Sequence, residues 1–209
     1  MKKALVILVL LSFCQSWMQA SRARAANKSS CESCPVPGVD FKSTTALKAA
    51  TKSSGCKVGK GNAGLPVQDP ACTPGAINET VTADLIKSGH YRTGCVRNCL
   101  STQSEKGIEY NRYGVKHDRA TCELDHLVPL ELGGADSLDN IWPQCGPFGA
   151  TGMAVYFKQK DKVEDYLTTM VKTGKMPLRE AQAGIAKDWT QYRDAALKYC
   201  AANKCGSEQ

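Results

Sequence analysis

The residues of this sequence that could do chemistry are concentrated in one segment, 122–145. Asp125 and His126 are adjacent, at the end of an apolar run with the character of a strand, and Asn140 follows fourteen residues after the histidine. A histidine can take a proton from water near neutral pH, and a carboxylate is a hard oxygen ligand that Mg²⁺ prefers. These side chains suit hydrolysis of a phosphodiester, which needs an activated water and neutralised phosphate charge.

The spacing around these residues predicts a strand, a loop, a second strand and a helix. Adjacent side chains of a regular strand point to opposite faces, so Asp125 and His126 can both reach one phosphate only if the backbone bends there. Pro129 fits a strand that ends there, and Gly133-Gly134 marks the turn that follows. From about Ala154 to Lys172, apolar residues recur at three- and four-residue steps, which predicts a helix.

Other segments have weaker patterns. A second helix is predicted to begin at Pro177 and to run to about Ala201, so that two C-terminal helices pack as a hairpin. Residues 82–88 form a short helix capped by a threonine. The alanine-rich stretch 45–51 has the composition of a helical turn or two, and residues 108–115 that of a short strand or turn.

The central arrangement resembles the ββα-metal finger of HNH endonucleases. It is more similar still to small secreted bacterial proteins with an HNH signature, over about residues 70–195. The matching segments are Thr73–Ala76, Leu124–Gly134, Asn140–Pro143, Lys160-Asp161, Glu164, Ala181-Gln182 and Asp188-Trp189. The resemblance implies an α+β fold, stabilised by disulfides, in which a ββα-metal (HNH) finger packs on a C-terminal helical hairpin. It also implies a metal-dependent endonuclease that hydrolyses DNA, sometimes RNA, with little sequence specificity.

The same resemblance assigns the catalytic and metal-binding roles. His126 resembles the general base, and Asn140 resembles the residue whose amide spans the loop and fixes the geometry of that histidine. Asp125 resembles a ligand of the divalent cation, which is expected to be Mg²⁺, with Mn²⁺ and Zn²⁺ as alternatives. Relatives place His or Asn as a further ligand at the start of the following helix. Here that ligand is expected to be Asp161 or the amide oxygen of Gln159.

Basic residues near the motif are the candidates for binding a nucleic acid. Arg92, Arg97, Lys158 and Lys160 are expected to contact phosphates, because they lie close to the motif in sequence. A charge run on a helix is usually a solvated face, and this remains the competing interpretation. Glu123 matches an acidic position in the closer relatives, where it would orient a neighbour or lie near the metal.

The N-terminus has the layout of a secretory signal. Lys2 and Lys3 precede an apolar run that is too short to span a bilayer, and small residues follow. The predicted organisation is a signal peptide over residues 1–25, an irregular cysteine-containing extension over 26–70 and an HNH nuclease domain over 71–205. The mature protein is expected to be secreted or periplasmic, monomeric and free of the membrane. An uncleaved anchor is the alternative.

Cysteine usage agrees with export. The chain has eleven cysteines, and removal of Cys14 with the signal leaves an even number, which indicates disulfides in an exported protein. Structural zinc is the alternative, but Cys31 and Cys34 are the one pair with Cys-x-x-Cys spacing. If His126 lies opposite Ile141 in an antiparallel pair, Cys122 falls opposite Cys145, and the two are predicted to be bonded.

Charge alone leaves the function open. The formal net charge is +7, and loss of four basic residues with the predicted signal lowers it to +3. A weakly basic surface suits a polyanion but does not require one. The rival interpretations are a catalytically silent nucleic-acid-binding protein with the same fold, and a small extracellular structural or adhesive protein.

Overall fold

The computed structural model describes residues 36–97, 103–203 and 205. The predicted signal segment 1–25, Cys31, Cys34 and Cys99 lie outside these residues. Within the described ranges, every helix is too short or too polar to cross a bilayer.

The protein has a mixed α+β fold with small sheets and C-terminal helices. The strands are β1 (Thr44–Ala46), β2 (Gly59–Lys60), β3 (Pro66–Val67), β4 (Ala76–Asn78), β5 (Cys122–His126) and β6 (Ile141–Cys145). They form antiparallel pairs, β1 with β4, β2 with β3 and β5 with β6. The helices are α1 (Ala83–Ser88), α2 (Thr93–Val96), α3 (Gln103–Arg112), α4 (Tyr156–Lys172), α5 (Leu178–Asp188) and α6 (Arg193–Ala202).

Strands β5 and β6 and helix α4 follow one another as the sequence predicted. The register places His126 opposite Ile141 and Cys122 opposite Cys145, which are joined by a disulfide with their Cα atoms 4.0 Å apart. The predicted bridge is therefore present, at the end of the hairpin away from the histidine. Disulfides also join Cys56 to Cys72 and Cys200 to Cys205, and Cys95 is disulfide-bonded as well.

We expect the Cys122–Cys145 bridge to contribute roughly 3 kcal/mol to the free energy of unfolding, because it closes a loop of some two dozen residues in the unfolded chain. Urea unfolding of a Cys122→Ser/Cys145→Ser variant measures this contribution. The Cys200→Ser/Cys205→Ser variant is the matched control, since its loop of five residues loses far less entropy on closure. Equal losses in the two variants would contradict the expectation.

The C-terminal region differs from the predicted hairpin of two helices. The single helix expected from Pro177 to about Ala201 is divided into α5 and α6 by a 3₁₀ turn over Trp189–Tyr192. Asp188 causes the break, because its carboxylate accepts hydrogen bonds from the backbone N–H groups of Thr190 and Asn62 at 2.9 and 2.7 Å. Helix α4 packs mainly against α6, and its buried face includes Val163 and Leu167.

One weaker prediction is wrong and another holds only in part. The stretch 45–51 contributes its first two residues to β1 instead of forming a helical turn. The segment 108–112 belongs to α3 instead of a strand, and a turn follows at 113–114. Described residues of the predicted irregular extension also pack on the rest of the protein. Trp189 donates from Nε1 to the carbonyl of Pro66 at 2.8 Å, and Gln68 donates to the carbonyl of Ala186 at 2.8 Å.

Candidate active site

A cavity of about 440 Å³ opens beside the end of β5 and contains the two residues that the sequence singled out, Asp125 and His126. Strand β5, the loop after it, helix α4 and the α2 region all contribute to its wall. The wall contains two basic residues, Arg97 and Lys162, and a larger number of acidic ones. The carboxylates that line the cavity are Glu123, Asp125, Glu131, Asp161, Glu164 and Asp165.

His126 is held by a buried network on the side away from the cavity. Its Nε2 lies 2.9 Å from Oδ1 of Asp136, and the same carboxylate oxygen accepts a hydrogen bond from Nζ of Lys106 at 2.6 Å. The other ring nitrogen, Nδ1, makes no hydrogen bond with the residues that the structure describes. Burial lowers the pKa of His126, against the raising effect of Asp136. The imidazole is therefore neutral at neutral pH.

Asn140 spans the loop between β5 and β6, as the sequence predicted. Its amide oxygen accepts from the backbone N–H of Val128 at 2.9 Å, and its amide nitrogen donates to the carbonyls of Val128 and Ala135 at 2.8 and 2.9 Å. Its own carbonyl accepts from Leu127 N–H at 2.7 Å. Asn140 is fully buried and lies outside the cavity wall, and its side chain ties together the loop that follows His126.

Asp125 is anchored through one carboxylate oxygen. Its Oδ2 lies 2.8 Å from Nζ of Lys160 and accepts from Nε1 of Trp142 at 3.1 Å. The described part of the chain supplies no hydrogen bond to Oδ1, which leaves this oxygen for the cavity. Lys160 is fully buried and also donates to the carbonyl of His126 at 2.9 Å and to the carboxylate of Glu164. The three N–H donors of its ammonium group are thus all used.

Several carboxyl groups of the cavity, including Glu123, Glu131 and Asp161, resist ionisation because they are crowded and partly removed from water. Burial raises the pKa of Glu123 to about 7, and the charges of Asp125 and Asp161 add to the increase. Burial and Asp125 likewise raise the pKa of Asp161 to about 6, and burial and Asp165 raise that of Glu131 to about 7. A bound cation would relieve this repulsion.

These raised pKa values predict how stability depends on pH and on divalent cations. In the folded state Glu123 and Glu131 keep their protons up to about pH 7, whereas unfolded glutamates lose them near pH 4.5. Their contribution to the free energy of unfolding is therefore complete below pH 4.5 and is lost as the pH rises to about 7.

Millimolar MgCl₂ should raise the midpoint of thermal unfolding more at pH 8 than at pH 5, because ionised carboxylates bind the cation and protonated ones do not. KCl at the same ionic strength is the control for screening. An equal rise of the midpoint at both pH values would show that these carboxylates are not involved.

Two site assignments made from the sequence are wrong. Lys160 cannot contact a phosphate, because it has no exposed surface and its donors are all used by protein acceptors. Gln159 cannot complete the metal site, because its Oε1 accepts from Nε of Arg193 at 2.6 Å and its Nε2 donates to the carbonyl of Met153 at 2.9 Å. Gln159 also lies outside the cavity wall.

The remaining candidates divide between the cavity and the surface. Asp161 and Arg97 line the cavity with Asp125 and His126, whereas Arg92 and Lys158 are exposed side chains outside its wall. Sequence reasoning missed Asp136, which contacts His126, and Lys106, which contacts Asp136. It also left Glu131 and Asp165 without a role.

Comparisons of the chain with protein-family models, with curated proteins and with solved structures found no match.

Proposed function

We propose that this protein is a metal-dependent endonuclease of the HNH type that hydrolyses phosphodiester bonds in DNA or RNA. The observation that supports the proposal most directly is the shared cavity: a buried, neutral histidine lines it beside the adjacent aspartate, whose Oδ1 has no hydrogen-bond partner among the described residues. A general base and a ligand for a hard cation are the two components that metal-assisted hydrolysis of a phosphodiester requires.

The composition of the cavity wall fits Mg²⁺ or Mn²⁺ better than Zn²⁺. No three His, Cys, Asp or Glu side chains among the described residues converge closely enough to enclose an ion. Mg²⁺ does not need such a cage, since it keeps several waters and is commonly bound by one or two carboxylates together with substrate phosphates. Asp125, through Oδ1, and Asp161 are the residues that would hold the Mg²⁺ ion, and Glu123 lines the same cavity.

Electrostatics give the cation a second reason to be present. A cavity lined by six acidic and two basic side chains does not attract a phosphodiester by itself, so a phosphate enters only with compensating positive charge. A bound divalent cation would supply that charge and would stabilise the departing oxygen. A silent nucleic-acid-binding protein would be expected to have a basic cavity instead.

The protein groups then have separate tasks in the proposed reaction. His126 accepts a proton from the attacking water through a nitrogen that faces the cavity. Asp125, fixed through Oδ2 by Lys160 and Trp142, presents Oδ1 in a constant position. Arg97, from the α2 region, lies on the cavity wall and is the basic residue proposed to contact a phosphate oxygen of the substrate.

The decisive experiment is incubation of the purified mature protein with plasmid DNA and with single-stranded RNA in Mg²⁺, Mn²⁺, Zn²⁺ or EDTA. We expect cleavage with Mg²⁺ and Mn²⁺ and none with EDTA. Retarded migration on a gel without cleavage in any metal would favour the silent binding protein. Neither cleavage nor binding would remove both interpretations.

Substitutions on α4 test which residue completes the proposed metal site. Asp161→Asn should shift the Mg²⁺ concentration for half-maximal cleavage upward by about tenfold or more, because a carboxylate ligand becomes neutral. Gln159→Ala, two residues earlier, should leave that concentration unchanged, since Gln159 binds Arg193 instead. Unchanged metal dependence in Asp161→Asn, together with a shift in Asp125→Asn, would place the second ligand elsewhere.

A further inference from the structure

The histidine of the cavity is supported from behind by a buried ion pair that no motif predicts. We propose that Lys106 and Asp136 are positioning residues, which hold His126 as its Nε2–H tautomer and so leave Nδ1 free to accept a proton. The kinetic part of this inference rests on the proposed endonuclease function, whereas the tautomer itself can be measured without any activity.

The geometry defines which ring nitrogen carries the proton. Nε2 of His126 lies 2.9 Å from Oδ1 of Asp136, and an ionised carboxylate only accepts hydrogen bonds. The neutral ring therefore has its hydrogen on Nε2. None of the described residues forms a hydrogen bond with Nδ1, and His126 lines the cavity. We therefore assign the lone pair of Nδ1 as the one that would accept a proton from a water molecule in the cavity.

Lys106 is needed because Asp136 has no access to water. The Asp136 side chain is fully buried, and burial alone would raise its pKa; the hydrogen bonds from His126 and Lys106 outweigh burial and lower the pKa to about 2. Nζ of Lys106 lies 2.6 Å from the same oxygen that accepts from His126, and Lys106 is itself buried. The ammonium group thus keeps the carboxylate ionised, and an ionised carboxylate keeps the imidazole in one tautomer.

Loss of Lys106, alone or together with the charge of Asp136, should reverse the tautomer. Without Lys106, the buried Asp136 would take up a proton and donate a hydrogen bond to Nε2, so that the ring hydrogen moves to Nδ1. In Lys106→Met/Asp136→Asn, no ammonium group holds the amide oxygen beside the ring, and the amide nitrogen would donate to Nε2 with the same result. In both variants the nitrogen facing the cavity becomes a donor and can no longer act as a base.

Nuclear magnetic resonance of the ¹⁵N-histidine-labelled mature protein in EDTA reads this state directly. We expect the Nε2 proton of His126 to appear as a downfield signal protected from solvent exchange, with Nδ1 unprotonated. His90 and His117 are exposed and serve as internal controls without such a signal. In Lys106→Met and in Lys106→Met/Asp136→Asn the signal should disappear, and the long-range couplings should assign the ring hydrogen to Nδ1.

Kinetics separate positioning from mere stability. Lys106→Met removes the cationic partner of a buried carboxylate, so it should lower the midpoint of thermal unfolding by about 10 °C, and it should lower kcat by about 10²–10⁴-fold with little change in KM. The Lys106→Met/Asp136→Asn variant removes both charges and should regain most of the thermal midpoint. Its kcat should stay low, because the tautomer is still reversed. Lys87→Met, on the surface of α1, is the control.

Two results would overturn the inference. One is a protected Nε2 proton of His126 in Lys106→Met/Asp136→Asn. The other is recovery of wild-type kcat in the double variant along with its stability, which would reduce the pair to a structural salt bridge. A protein that cleaves no nucleic acid but has the protected proton would retain the tautomer assignment and remove the proposed function.

Discussion

Replacing His126 by alanine is expected to lower the rate of phosphodiester cleavage by about two to four orders of magnitude, the usual cost of losing a positioned general base. The ring is neutral and buried, and it faces the cavity beside Asp125. The rate should be measured under single-turnover conditions on a labelled duplex, because product release then does not limit it. Affinity for the duplex should survive, because the proposed phosphate contact comes from Arg97.

His117→Ala is the matched control for this substitution. His117 is exposed and lies outside the cavity wall, so its loss should change neither the rate nor the affinity. Asn140 offers a second comparison, since Asn140→Ala should lower the rate through loss of loop geometry and lower stability as well. Cleavage near the wild-type rate by His126→Ala would remove the histidine from the proposed mechanism.

The second large effect is on stability. Lys160→Met should lower the free energy of unfolding by about 3–5 kcal/mol near pH 8, because breaking a buried ion pair leaves its partners uncompensated. Burial alone would lower the pKa of Lys160, but Asp125 and Glu164 raise it, so the ammonium group stays charged. Methionine has nearly the same length and fills the space without the charge.

Urea unfolding of Lys160→Met beside Lys158→Met tests this expectation. Lys158 is exposed on the same helix, so its replacement should change the free energy of unfolding by less than about 0.5 kcal/mol. Lowering the pH should shrink the difference between the two variants, since burial raises the pKa of Glu164 and a protonated carboxyl needs no counterion. Equal stability of both variants at pH 8 would show that Lys160 is not the central cation of this buried cluster.

The hairpin could be predicted from sequence because its signals are local. Strand residues alternate with a period of two, so one assumed pair, His126 with Ile141, fixed every other pair and with it the disulfide. The role of Asn140 came from the resemblance to HNH endonucleases. It suits the local geometry, because Asn140 directly precedes the second strand and three of its four side-chain hydrogen bonds go to the intervening loop.

Lys160 was assigned to the wrong environment although the sequence contained the signal. Residues 158–162 read as a charge run, which usually indicates a solvated face. Lys160, however, precedes Val163 and Leu167 by three and seven residues, so it lies on their buried stripe, whereas Lys158 and Lys162 do not. An ionisable residue on the apolar stripe of a helix predicts a buried partner, here Asp125.

Lys106 and Asp136 could not have been assigned in this way. Residues 108–115 suggested a strand or turn, so the helix that presents Lys106 was missing from the predicted fold. Asp136 lies in the loop between the strands, ten residues after His126, and only the folded path of that loop brings the two together. Such contacts depend on tertiary structure, which a pattern of residue types along the chain does not contain.

The position of the Cys122–Cys145 link has a consequence for when the β5–β6 hairpin is stabilised in a newly made chain. Roughly 3 kcal/mol corresponds to about a hundredfold change in the ratio of folded to unfolded chains. The link lies in the same two-stranded unit as Asp125 and His126, so its loss would act where the proposed catalytic pair is assembled. Under the proposed function, a newly made chain in a reducing compartment would keep these thiols unbonded and would spare nearby nucleic acid, and the pair would be stabilised only after oxidation.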